Sequence, residues 1–120
     1  MQKQIEFITS VSPFEGADIL LNAPYSKGNL VYWEHHLVSD EGKQICTFVF
    51  ERYYFRTSGR ATLTVILENF GGQNKVRCIS SGSAESLINV DFGASQNFVN
   101  WIRDALKDYI LKETELLSKN

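Results

Sequence analysis

The feature that most restricts the fold of this chain is the return of apolar residues at helical spacing across its last third. Between Ser95 and Leu117, the residues Phe98, Val99, Trp101, Ile102, Ala105, Leu106, Tyr109, Ile110, Leu116 and Leu117 recur with a period of about 3.6. Asn100, Arg103, Asp104, Lys107, Asp108 and Glu113 fall mainly on the other side. The spacing predicts one long amphipathic helix over 95–117, with Ser95 as its N-cap. Leu111 lies about 100° from Ile110 and falls outside the stripe. A helix of this length needs an apolar surface beneath it, and the segments before it read as strands that supply one.

Gln4 to Thr9 reads as a first strand. Ser12-Pro13-Phe14-Glu15 is a capping box with proline at the first helical position, so a short helix is predicted over Pro13 to Leu21. Asn22-Ala23-Pro24 and Ser26-Lys27-Gly28-Asn29 are stop and turn signals. Leu30 to Ser39 and Gln44 to Arg56 read as strands joined by an Asp40-Glu41-Gly42 turn that needs a positive φ at glycine. The alternation blurs at Arg52 to Phe55, which implies a bulge or burial on both faces. Ala61 to Asn69 alternates cleanly, and Lys75 to Ser80 follows the Gly71-Gly72-Gln73-Asn74 turn. Ser80 to Ser86 is a small-residue loop, Leu87 to Phe92 a last strand, and Ser118 to Asn120 a frayed end. The predicted order is β-α-β-β-β-β-β-α: an α+β fold with a curved antiparallel sheet of five to six strands packed on the long C-terminal helix. That order resembles the helix-grip domains.

One hundred and twenty residues form a single domain, 1–120, large enough for a core without metals or disulfides. Twelve basic against 14 acidic residues argue against nucleic-acid binding. No apolar run reaches the roughly 20 residues that span a bilayer, and Met1 to Glu6 lacks the apolar core of a secretory signal, so no membrane partner and a cytoplasmic location are expected. Cys46 and Cys78 sit in strand-like runs in phase with apolar neighbours. They read as reduced, buried thiols, with a cross-strand disulfide as the alternative.

Few residues suggest chemistry. Glu34 and His36 share a strand face, which admits acid-base work but falls short of a metal site. Arg52, Tyr54 and Arg56, with Arg60 beyond a turn and Lys75 and Arg77 further across the sheet, form the densest candidate cluster. Guanidinium forks suit carboxylate or phosphate, whereas a solvated face crossed by Arg–Glu pairs is the plainer reading. Trp33 and Trp101 are expected in the core or on the wall of a pocket beneath the helix. The Ser81-Gly82-Ser83 loop lacks the lysine and spacing of a phosphate loop. No cofactor and no metal are implied.

At Glu51 to Arg56, at Ser81-Gly82-Ser83, and at Asp91-Phe92-Gly93 leading into Phe98-Val99-Asn100-Trp101, the chain resembles a family of small, uncharacterised bacterial proteins. The resemblance implies a cytosolic domain of unknown function and carries over no site residue. Three readings follow. One is a non-catalytic domain binding a small or anionic ligand through Arg52, Tyr54, Arg56, Arg60, Trp33 and Trp101. The second is a protein-interaction or self-association module, such as a homodimer formed through the apolar end of the helix. The third is an enzyme using Glu34 and His36.

Overall fold

A computed structural model describes residues 3–24, 26–38, 40–54, 59–82 and 99–117 of the chain. Strand β1 (Lys3–Thr9) leads to α1 (Pro13–Leu21), a single helical turn α2 (Ser26–Asn29), and the meander β2 (Leu30–Leu37), β3 (Gln44–Tyr54), β4 (Gly59–Glu68) and β5 (Asn74–Gly82). Helix α3 follows at residues 99–106. A 3-10 turn at Lys107–Tyr109 then passes into β6 (Ile110–Leu117). The six described strands form one sheet in the order β2-β3-β4-β5-β1-β6, antiparallel at every step. The α+β class and the antiparallel sheet thus agree with the sequence.

The long C-terminal helix does not. Its second half is β6, which pairs with β1 from Lys3↔Leu117 to Thr9↔Ile110. Without β6, β1 would be the sheet edge and its outer row of amides and carbonyls would lack partners. Those main-chain bonds outweigh the helical periodicity, because propensity is a weak prior against tertiary pairing. The turn is anchored where Ser10 N donates to Tyr109 O at 2.9 Å. Leu111, which fell outside the helical stripe, is 68% exposed in the strand. The likeness to helix-grip domains loses its basis, and so does self-association through the helix end. The expected strand at Leu87 to Phe92, the Ser95 cap, Arg56, and most of the small-residue loop lie outside the described residues.

Local chemistry decides the other boundaries. The capping box of α1 forms as read: Ser12 Oγ accepts from Glu15 N at 3.2 Å, and Ser12 N donates to Glu15 Oε1 at 3.0 Å. Those bonds, the backbone one foremost, hold the Glu15 carboxyl below its usual range. Gly42 takes φ +80° in the β2–β3 turn. Neither alternative at Arg52, a bulge or burial on both faces, holds over the described residues: β3 and β4 stay in register from Ile45↔Glu68 to Tyr54↔Gly59, and Arg52 and Tyr53 are exposed.

The alternation sorts the sheet into two faces. Ile5, Phe7, Cys46, Phe48, Phe50, Leu63, Val65, Leu67, Val76 and Cys78 point to one face and are buried there under Ala17 and Leu20 of α1 and Val99, Ile102 and Leu106 of α3. Gly16 lets α1 lie close, since a Cβ there would come within 2.8 Å of Leu67 Cδ2. The opposite face carries half-buried Ile8, Ile45, Val49, Ile66 and Ile79 among threonines and charges. Cys46 and Cys78 are free and buried.

Arg103 ties α3 to β6. Its Nε and Nη2 donate to the two Glu113 carboxylate oxygens at 2.9 and 2.8 Å, Nη1 donates to Asn100, and the guanidinium lies 5.9 Å from the Phe7 ring centre. The hydrogen bond from Arg103 holds the Glu113 carboxyl below its usual range, against a smaller opposing effect of burial. A depressed carboxylate stabilises the fold above its unfolded pKa and loses that effect as pH falls through the folded value. Both side chains are about one-third exposed, so screening limits the pair. Glu113→Gln is expected to cost about 1 kcal/mol at neutral pH. In urea titrations, the gap from wild type should close below about pH 4.

Candidate ligand clefts

An aromatic row runs along the helix-covered face. The register sets Trp33 opposite Phe48 and His35 opposite Cys46. His35 meets Phe14 of α1 edge-on at 5.3 Å and stacks on Trp33 at 5.1 Å. Trp33 stacks on Phe48 and Phe48 on Phe50, both at 5.9 Å, and Phe50 meets Trp101 edge-on at 4.5 Å. Such spacings lie in the favourable range for ring pairs.

A cleft opens at each end of the row. The first, of about 240 Å³, lies between α1 and the β2 edge and is lined by Phe14, Ala17, Asp18, Leu21, Trp33, His35 and Cys46. The second, of about 330 Å³, lies between α1 and α3 and is lined by Ile19, Ala23, Pro24, Trp101, Asp104 and Ala105. Trp33 and Trp101 therefore do reach cleft walls, but two different ones. His35, between Glu34 and His36, was given no site role by sequence reasoning, and Phe14 and Asp18 were missed as site residues. Their signal was present: positions 14, 17, 18 and 21 follow helical spacing, so Asp18 is a carboxylate inside the apolar stripe of α1.

Each cleft is mainly apolar with one carboxylate, Asp18 or Asp104. His35 adds an imidazole to the first. Cys46 is no nucleophile, because burial pushes its thiol up to about 11 and its Sγ lies 3.7 Å from Pro13 O. Burial likewise pushes the Cys78 thiol up to about 12.

The arginine cluster is divided. Arg52 pairs across β4 with Ala61 on the helix-covered face, while Arg60 pairs with Tyr53 on the opposite face. Arg60 also meets Glu51 at 3.4 Å, and Arg77 meets Glu6 at 3.1 Å. The Tyr54 side chain and Arg56 lie outside what the structure describes. Glu34 and His36 do meet, at 3.3 Å, with the Tyr32 hydroxyl donating to Glu34 at 2.7 Å. The Tyr32 hydrogen bond, then that of His36, holds the Glu34 carboxyl below its usual range. This exposed chain of groups lies on the face away from both clefts. Among the described residues no group of three or more potential ligands could hold a metal ion, and no helix is long and apolar enough to cross a membrane.

A family model matches residues 26–110, more than two-thirds of the sequence. The chain belongs to DUF6054, a family of unknown function. No curated protein matches it. The DUF6054 span runs from α2 to the first residue of β6, so it contains Trp33, His35, Trp101 and Asp104 and leaves α1 outside. Each cleft thus has one wall inside the DUF6054 span and one wall contributed by the residues before it.

Proposed function

We propose that this DUF6054 chain is a non-catalytic binding domain for a small, flat organic molecule, neutral or positively charged, held between α1 and β2. The observation that supports this most is Trp33. It is 41% exposed, yet its ring is fixed between His35 and Phe48 and faces the Phe14 and Asp18 wall. A preordered aromatic wall beside a carboxylate suits a cation or a neutral ring, since the ring face attracts positive charge. At about 240 Å³ the cleft falls below the roughly 300–1,000 Å³ of usual binding pockets, which limits the ligand to a small molecule that it covers only in part. An anion would meet Asp18 here, and the divided arginines make a weaker anion site than the sequence suggested. Two free thiols accord with a reducing cytoplasm.

The test uses tryptamine, indole and benzoate as cationic, neutral and anionic aromatic probes, followed by thermal shift and ligand-observed NMR. Indole and tryptamine are expected to bind and raise Tm. Trp33→Ala should weaken both by about tenfold, and Asp18→Asn should weaken tryptamine alone. Binding of benzoate in preference to tryptamine, or a flat response to all three, would sink the proposal.

A further inference from the structure

We propose that β2 is the seam of a two-fold symmetric homodimer, two copies pairing antiparallel about His35 to make one continuous sheet. Among the described residues β2 is an edge of the sheet, and every residue after Leu30 in it is exposed. Edge strands in stable monomers are guarded by charge, proline or bulges. The other edge among the described residues carries such charges, with Lys112, Glu113 and Glu115 along β6. Along β2 the charge is confined to Glu34, no proline interrupts it, and its register shift lies at the start of the strand, between Leu30 and Tyr32, outside the stretch 32–38. Val31, Tyr32, Trp33, Leu37 and Val38 are instead left largely in water.

The sequence of β2 is complementary to itself in one register. With the axis at His35 and perpendicular to the sheet, Trp33 faces Leu37 of the second copy and Tyr32 faces its Val38. Glu34 then faces the second copy's His36, and the pair occurs twice. All of these pairs join residues on the same face of the sheet, as antiparallel pairing requires. Leu37 and Val38, 63% and 54% exposed, gain apolar partners. Moving the axis to Glu34 sets two carboxylates against each other. Moving it to Trp33 leaves Leu37 and Val38 opposite Asn29 and Gly28. Moving it to His36 sets Glu34 against Val38. A two-fold axis closes the assembly and uses up the exposed edge. The seam would run along the outer wall of the α1–β2 cleft, bringing the two clefts together across the axis.

Sedimentation equilibrium of the full chain, over about 1–100 µM, tests this without any ligand, so its outcome is separate from that of the cleft. Wild type is expected to be a dimer at the upper end. Glu34→Lys replaces the carboxylate that would accept from His36 with an ammonium that only donates, and should weaken association about tenfold or more. The double variant E34K/H36E sets an ammonium opposite a carboxylate in both pairs and should return affinity to the wild-type range. Leu37→Asp, at another exposed position, should also give monomer, with circular dichroism confirming that each variant is folded. A monomeric wild type, an undiminished Glu34→Lys dimer, failure of the double variant to recover, or open-ended oligomers would each overturn the proposal.

Discussion

Phe50→Ala is expected to destabilise the domain by about 3–5 kcal/mol, measured by urea denaturation. Phe50 is fully buried in the centre of β3, with Leu63 opposite it on β4 and Leu30 on β2. Its ring stacks on Phe48 and receives the edge of Trp101, so it joins the sheet to α3 as well as filling the core. Removing the ring loses its transfer free energy and leaves a cavity that flanking strands cannot close, because their spacing is set by the ladder. The ring contacts add about 0.5–1.5 kcal/mol each beyond the area buried. Phe50→Leu keeps most of the apolar volume and should cost clearly less. The near-ultraviolet signal of Trp101 should weaken in the Ala variant. A loss below about 1 kcal/mol would mean that Phe50 is not at the centre of the core.

The same residue shows where sequence reasoning succeeded. Phe48 and Phe50 alternate with Thr47 and Val49, and that period assigns them to one face without reference to any other part of the chain. The cap at Ser12 and the turn at Gly42 were equally legible, since each is decided within a few residues. β6 was not. Its partner β1 comes from the opposite end of the chain, and nothing local to Ile110–Leu117 records that contact. The register shift between Ile8 and Thr9 further obscures its alternation, by setting Thr9 opposite Ile110 and Ile8 opposite Lys112. Trp33 could be named from sequence because tryptophan is conspicuous. Asp18 and His35 matter only because α1 crosses the β2 edge at Phe14, a packing fact that no strand or helix period contains. Arg52 and Arg60 were joined in sequence because their spacing across the turn was open. The unbroken β3–β4 register places them on opposite faces.

A chain ending at Tyr109 is expected to lose on the order of 5 kcal/mol of stability, enough to abolish cooperative unfolding in a domain of ordinary stability. β6 covers the outer edge of β1 at every position from Lys3 to Thr9. Each ladder bond contributes about 1 kcal/mol net, and several are lost together. Arg103 would lose the Glu113 carboxylate while still lying over Phe7. Ile110, which packs on the core, would also go. The edge thus exposed would contain Ile5, Phe7 and Ile8, with Glu6 between them already paired to Arg77 and Lys3 at the strand's start. Aggregation should therefore accompany the loss of stability. A control separates strand from helix at this position: alanine at Lys112 and Thr114 together favours a helix and disfavours a strand. If residues 110–117 act as a strand, the double substitution destabilises. If the domain were instead built on a continuous C-terminal helix, it would stabilise. Amide hydrogen exchange gives a second reading, since β1 should be protected on both of its edges in the full chain and on its β5 edge alone in the truncated one.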